Sequence, residues 1–146
     1  MTGGQKPVAD RLTVEDLLAR VPLFRDCDTH HLRKIEHLMT TLAAPAGKVL
    51  TTEGEPGQEF IIVLEGEVEV RHGDHVIATR GPGEYFGEIA LLDNRPRTAT
   101  VVAKTPVTIE VLNRAEFGSL LAEFPDLAAQ IMATMAQRLQ ELDAEG

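Results

Sequence analysis

Cysteine is almost missing from this chain: Cys27 is the one cysteine in 146 residues, so no internal disulfide can form. A lone thiol suits a reducing compartment, and a cytoplasmic location is expected. Tryptophan is absent and aromatics make up 4% of the residues, so the core has to be built from Val, Leu, Ile and Ala. No apolar run approaches the ~18 residues of a membrane span. Neither a secretory-type leader nor a membrane partner is expected. Basic residues are also scarce, 14 Lys and Arg against 23 Asp and Glu, for a net charge of −9. Nucleic-acid surfaces draw their affinity from clustered Lys and Arg, so nucleic acid is not expected as a partner of this chain. A small anion is still admissible, because a buried pocket makes its own local field.

What is present describes an ordinary globule, 43% hydrophobic and 25% charged. A chain of this length buries roughly two-thirds of its unfolded surface and needs neither disulfide nor metal as a staple. Residues 1–5 carry no pattern. Residues 1–12 are read as a flexible tail and 13–146 as a single domain.

The element pattern changes twice. A helical stretch over 13–24 opens with Thr13 as N-cap, Asp16 three residues on, and Leu17 and Leu18 as its apolar face. Pro22 stops it. A second helix is expected over 29–38, with Leu32, Ile35, Leu38 and Met39 at helical spacing. From about 41 to 113 short β-rich runs alternate with Gly and Pro. Strands are expected at 49–52, 60–64, 68–71, 76–79, 98–103 and 107–112, with a hairpin turn at His72-Gly73-Asp74-His75. Strands this short and this regularly spaced indicate a sandwich, jelly roll or barrel. Asn113 then reads as N-cap of a helix to about 123, and Asp126 as the cap of a last helix to about 142. The last helix carries the apolar stripe Leu127, Ile131, Met135, Leu139 and Leu142.

The most specific stretch is Phe86-Gly87-Glu88-Ile89-Ala90-Leu91, a spacer of five, then Arg97-Thr98-Ala99-Thr100-Val101. It places a glycine and a carboxylate at the start of a short helical turn, with an arginine ten residues after the glycine. Backbone N–H groups at a helix start favour an anion. A guanidinium grips phosphate oxygens as a fork, and a carboxylate accepts from a sugar hydroxyl. Upstream, Gly54-Glu55-x-Gly57, the apolar residues 60–63 and Gly66 form a glycine-bearing strand-turn-strand. Both segments, in this order, resemble the cyclic-nucleotide-binding domain family of catabolite-activator-type regulators, cyclic-nucleotide-dependent kinases and nucleotide-gated channels. The resemblance covers about residues 20–140. Thr51 departs from it, standing where the family usually has an apolar residue.

The resemblance implies a mainly β fold: an eight-stranded jelly roll with helices before it and a helix pair after it. It implies that Arg97 pairs with the cyclic phosphate and that the N–H groups of Ala90 and Leu91 complete the phosphate site. Glu88 would accept from the ribose 2′-hydroxyl, and Gly87 would let backbone approach the sugar. Thr98 and Thr100 would lie beside base or phosphate, with Phe86, Ile89 and Ala99 completing the ligand-binding stretch. One buried Arg suits a singly charged cyclic phosphodiester, since a second unpaired cation would be costly. In this family Ala after the arginine is common in cyclic-AMP binders and Thr goes with tolerance of cyclic GMP. Thr98 therefore keeps both ligands open. Arg95 is read as solvent-facing.

Other constellations give no chemistry. His30, His31 and His37 lack the i, i+4 spacing of a helical zinc pair. His72 and His75 flank a hairpin without a following ligand Glu, so neither metal nor cofactor is expected. The Cys27 thiolate is disfavoured by Asp26 and Asp28. No nucleophile or acid–base pair emerges, and the chain is not read as an enzyme. The expected function is a cyclic-nucleotide receptor module that regulates a partner protein or a fused output domain. By resemblance, the last helix lids the base or forms a homodimer seam, through Met135, Leu139 or Leu142. The alternatives are a non-binding interaction or dimerisation domain and a cupin-like metal enzyme.

Overall fold

Side chains alternate across a strand, so a run buried on both faces reads as continuous apolar sequence. The strand Glu59–Glu65 (β3) is such a run: Phe60, Ile61, Ile62 and Val63 are all buried. Around it, a computed structural model describes residues 13–145, with side chains other than those of residues 138, 139 and 141–145. The tail expected at 1–12 and the side chains of Leu139 and Leu142 lie outside the described residues. Eight strands among those described make two four-stranded antiparallel sheets. These are Thr40–Ala44 (β1), Val49–Thr51 (β2), β3, Val68–His72 (β4), His75–Arg80 (β5), Tyr85–Phe86 (β6), Thr100–Ala103 (β7) and Val107–Asn113 (β8). One sheet runs β1-β8-β3-β6 and the other β2-β7-β4-β5. Their inner faces meet in a core of Ile61, Val63, Val107, Ile109 and Val111 from the first sheet and Val68, Val101 and Ala103 from the second. This is the architecture expected of a jelly roll.

Two strands have little local signal. β1 is Thr-Thr-Leu-Ala-Ala and is held by pairing with β8, from Thr40 opposite Val111 to Ala44 opposite Val107. β6 is two residues long, paired with Ile61 and Ile62. The strand expected from residue 98 begins instead at Thr100. The chain before it is tied elsewhere. The Arg97 N–H donates to the Glu55 carbonyl (2.8 Å), the Gly54 N–H donates to the Arg97 carbonyl (2.9 Å), and the Ala99 carbonyl accepts from the Thr51 hydroxyl (3.1 Å).

The helices follow their caps. Val14–Ala19 (α1) starts with a full capping box: Thr13 accepts from the Asp16 N–H and Asp16 from the Thr13 N–H. A 3-10 turn, Pro22–Phe24, precedes Thr29–Leu38 (α2). Asn113 accepts from the Ala115 N–H at 2.6 Å and heads Arg114–Glu123 (α3). The last helix, Pro125–Glu145 (α4), begins one residue before Asp126, which lies in its first turn and not at its cap. Proline at the first helical position needs no N–H partner and has its φ preset.

By contacts the chain forms two compact units, the β unit Met39–Gly118 and a helical unit from the segments before and after it. Within the helical unit Leu127 and Ile131 are fully buried and Met135 is half-buried. The Thr134 hydroxyl donates to Asp26 Oδ2 at 2.9 Å, and the Lys34 ammonium sits 4.1 Å over the Phe124 ring. No helix among the described residues is long and apolar enough to cross a membrane.

Candidate functional site

Gly87 turns the chain out of β6. Its φ of 79° lies in the left-handed region that other residues adopt at a cost. That turn starts a 3-10 helix, Glu88–Leu91, whose Ala90 and Leu91 are buried. Ten residues after Gly87, Arg97 returns beside it. A Cβ on Gly87 would overlap the Arg97 guanidinium and approach the Glu59 carbonyl to 2.7 Å; one on Gly57 would overlap Arg97 at Nε. The two glycines, 30 residues apart, thus make one slot for one arginine. The Arg97 Nη2 donates to the Glu59 carbonyl at 2.7 Å, which fixes the side chain's direction. Burial pulls the Arg97 pKa down, Glu59 opposes that pull, and the like charge of Arg114 adds to it. The guanidinium stays ionised at neutral pH.

These groups border a cavity of about 410 Å³ in the β unit, within the size of small-molecule sites. It gathers Phe86, Gly87, Glu88, Ile89 and Ala90 with Arg97, Thr98 and Ala99. Leu91 and Thr100 are not in its lining. Leu91 is buried, and the Thr100 hydroxyl accepts from the Glu53 N–H at 2.9 Å. The Ala90 N–H donates to the Gly87 carbonyl at 3.0 Å, closing the 3-10 turn. Arg95 lies at the cavity rim, largely exposed, with Nε 2.6 Å from Asp93 Oδ2.

Several residues here are not marked by local sequence. Thr51, Val101 and Val70 also line the cavity. They are neighbours because β2, β7 and β4 pair with Thr51 opposite Val101 and Val101 opposite Val70. Only strand register makes that row. Nothing in the local sequence marks Arg114, the residue after Asn113. In the structure its Nε donates to the Ala90 carbonyl (2.6 Å) and its Nη2 to the carbonyls of Gly57 (2.8 Å) and Asp93 (3.0 Å). Among the described residues no group of three or more His, Cys, Asp or Glu could hold a metal ion. Cys27, half-buried, has its thiol pKa pushed up to about 11 by burial and then by Asp28 and Asp26.

Comparison with known proteins identifies the family. Residues 41–124 match the cyclic nucleotide-binding domain family. Over 118 residues, 80% of the chain, the sequence is 35% identical to a cAMP-dependent protein kinase regulatory subunit of Schizosaccharomyces pombe, covering 29% of that protein. Over 122 residues, 84% of the chain, it is 38% identical to a cyclic nucleotide-gated potassium channel of Mesorhizobium japonicum, covering 34% of it. The chain thus spans about a third of the length of these relatives. The fold is similar to the N-terminal domain of a transcriptional regulator from Streptomyces coelicolor, with a TM-score of 0.80 and 31% identity over 89% of this chain and 94% of that one. With more than half of its residues matched by the family, the span holding the glycine slot and Arg97 included, the chain belongs to the cyclic nucleotide-binding domain family.

Proposed function

We propose that this chain is a receptor module for a purine cyclic nucleotide, cyclic AMP or cyclic GMP, and performs no chemistry of its own. The observation that carries this reading is Arg97, slotted between Gly57 and Gly87 at the border of a cavity large enough for a nucleotide. Arg97 takes the cyclic phosphate by charge-assisted hydrogen bonds. Glu88, at the start of the 3-10 turn, accepts from the ribose 2′-hydroxyl. The N–H groups of Ala90 and Leu91 face the phosphate once the turn adjusts, since the Ala90 N–H bonds to the Gly87 carbonyl in the described state. Thr98, exposed at the border, contacts the base and leaves room for guanine as well as adenine.

A ligand regulates only by preferring one conformational state over another. The helical unit serves as the responding part, and α4, with Met132 65% exposed, offers a face for a second copy or an effector. The kinase subunit and the channel among the relatives support a regulatory role within a larger protein or assembly. Calorimetric titration of nucleotide-free protein with cyclic AMP and cyclic GMP tests the reading. Micromolar or tighter binding of either supports a receptor, and the ratio of the two affinities names the signal. No heat and no thermal shift with both would favour the interaction domain instead.

A further inference from the structure

The Arg114 side chain donates to three main-chain carbonyls. One of them, Ala90, lies in the 88–91 turn; Asp93 lies just beyond the turn, and Gly57 belongs to the loop facing it. The backbone adds a fourth tie, because the Arg114 N–H donates to the Gln58 carbonyl at 2.8 Å. Carbonyls hold a guanidinium without cancelling its charge, and its planar fork reaches several in fixed directions at once. The bonded residues also matter. Gly57 is one wall of the Arg97 slot, and Ala90 follows the other wall, Gly87, by three residues. Fixing both loops fixes the width of the slot. Arg114 is also the first residue of α3, so the turn is tied to the start of the helix that leads out of the β unit.

We infer that Arg114 is a positioning residue for the ligand's phosphate: it clasps the 88–91 turn to the Gly57 loop and so holds Arg97 where the anion meets it. This rests on the proposed nucleotide site, but the clasp itself can be tested without ligand. The full chain, free of nucleotide, is compared as wild type, Arg114→Lys and Arg114→Gln. Lysine keeps the charge and loses the fork; glutamine loses both. Amide hydrogen exchange without ligand should quicken over residues 54–59 and 87–95 in both variants and stay unchanged in β8. Calorimetry should show cyclic-AMP binding weakened tenfold or more by each substitution. In an Arg97→Ala background, the further change Arg114→Gln should weaken binding less than twofold, because the clasp acts through Arg97. Wild-type affinity and protection in Arg114→Lys would overturn the inference in favour of a pure charge effect. Equal losses with and without Arg97, or faster exchange in β8 too, would overturn it in favour of a general structural role. Should wild type bind neither nucleotide, the functional reading fails, and the exchange experiment still decides the clasp.

Discussion

Arg97 needs both room and restraint, and two glycines and one carbonyl supply them. Removing the guanidinium, Arg97→Ala, should cost at least the ~1.5–3 kcal/mol of one charge-assisted hydrogen bond, or roughly 10- to 150-fold in Kd, read by calorimetry with cyclic AMP. The glycines separate binding from stability. Gly57 lies outside the left-handed region, and the three atoms nearest its added Cβ all belong to the movable Arg97 side chain. Gly57→Ala should therefore melt near wild type while binding cyclic AMP at least several-fold more weakly. Gly87→Ala has a positive φ and the Glu59 carbonyl against it, so it should lose stability as well, by ~1 kcal/mol or more in urea denaturation. Cys27 gives a pH prediction. A thiol raised to about 11 holds its proton more tightly folded than unfolded. That contribution to stability is complete below the ordinary thiol pKa of 9.0 and is lost as pH rises toward about 11. Iodoacetamide labelling of native protein at pH 8 should accordingly be slower than that of an unfolded control.

At the scale of elements, caps and alternation were plain in the sequence and tertiary pairing was not. Thr13 and Asp16 form the capping box that their spacing announces, and Asn113 heads α3 as read. Thr13→Ala should cost ~1 kcal/mol in chemical denaturation. The runs that became β3 and β8 were legible for different reasons: β3 carries five consecutive apolar residues, and β8 alternates apolar Val107, Ile109 and Val111 with polar Thr108 and Glu110. β1 and β6 were not, since threonines, alanines and a two-residue pair acquire strand geometry only from their partners. Thr98 and Ala99 have the β-branched and small composition of a strand. The ties of Arg97 to the loop at residues 54 and 55 nevertheless hold that stretch out of the ladder.

At the scale of the whole molecule, ligand binding and folding are linked. Anything that binds the folded chain alone stabilises it by mass action, ~2.7 kcal/mol at a concentration a hundredfold above Kd. For a chain of this size that is a rise of several degrees in Tm. Cyclic AMP or cyclic GMP should produce it in a thermal melt, and Arg97→Ala should cut it to about half or less at the same concentration. An acidic chain of net charge −9 should show no retention of duplex DNA in a mobility-shift assay, even at low salt.

Local chemistry alone determined the short-range features: which runs alternate, where α1 and α3 begin, and the motif that sets Gly87, Glu88 and Arg97 at fixed spacing. Those depend on interactions a few residues apart, or on residue types that only one chemistry uses together. Tertiary structure decided the rest. The cavity wall of Thr51, Val101 and Val70 exists through strand register. The slot around Arg97 exists because loops 30 residues apart meet. Arg114 became part of the site because its guanidinium reaches carbonyls 24 and 57 residues away. Main-chain carbonyls are the same in every sequence, so nothing in the order of residues could mark them as its partners.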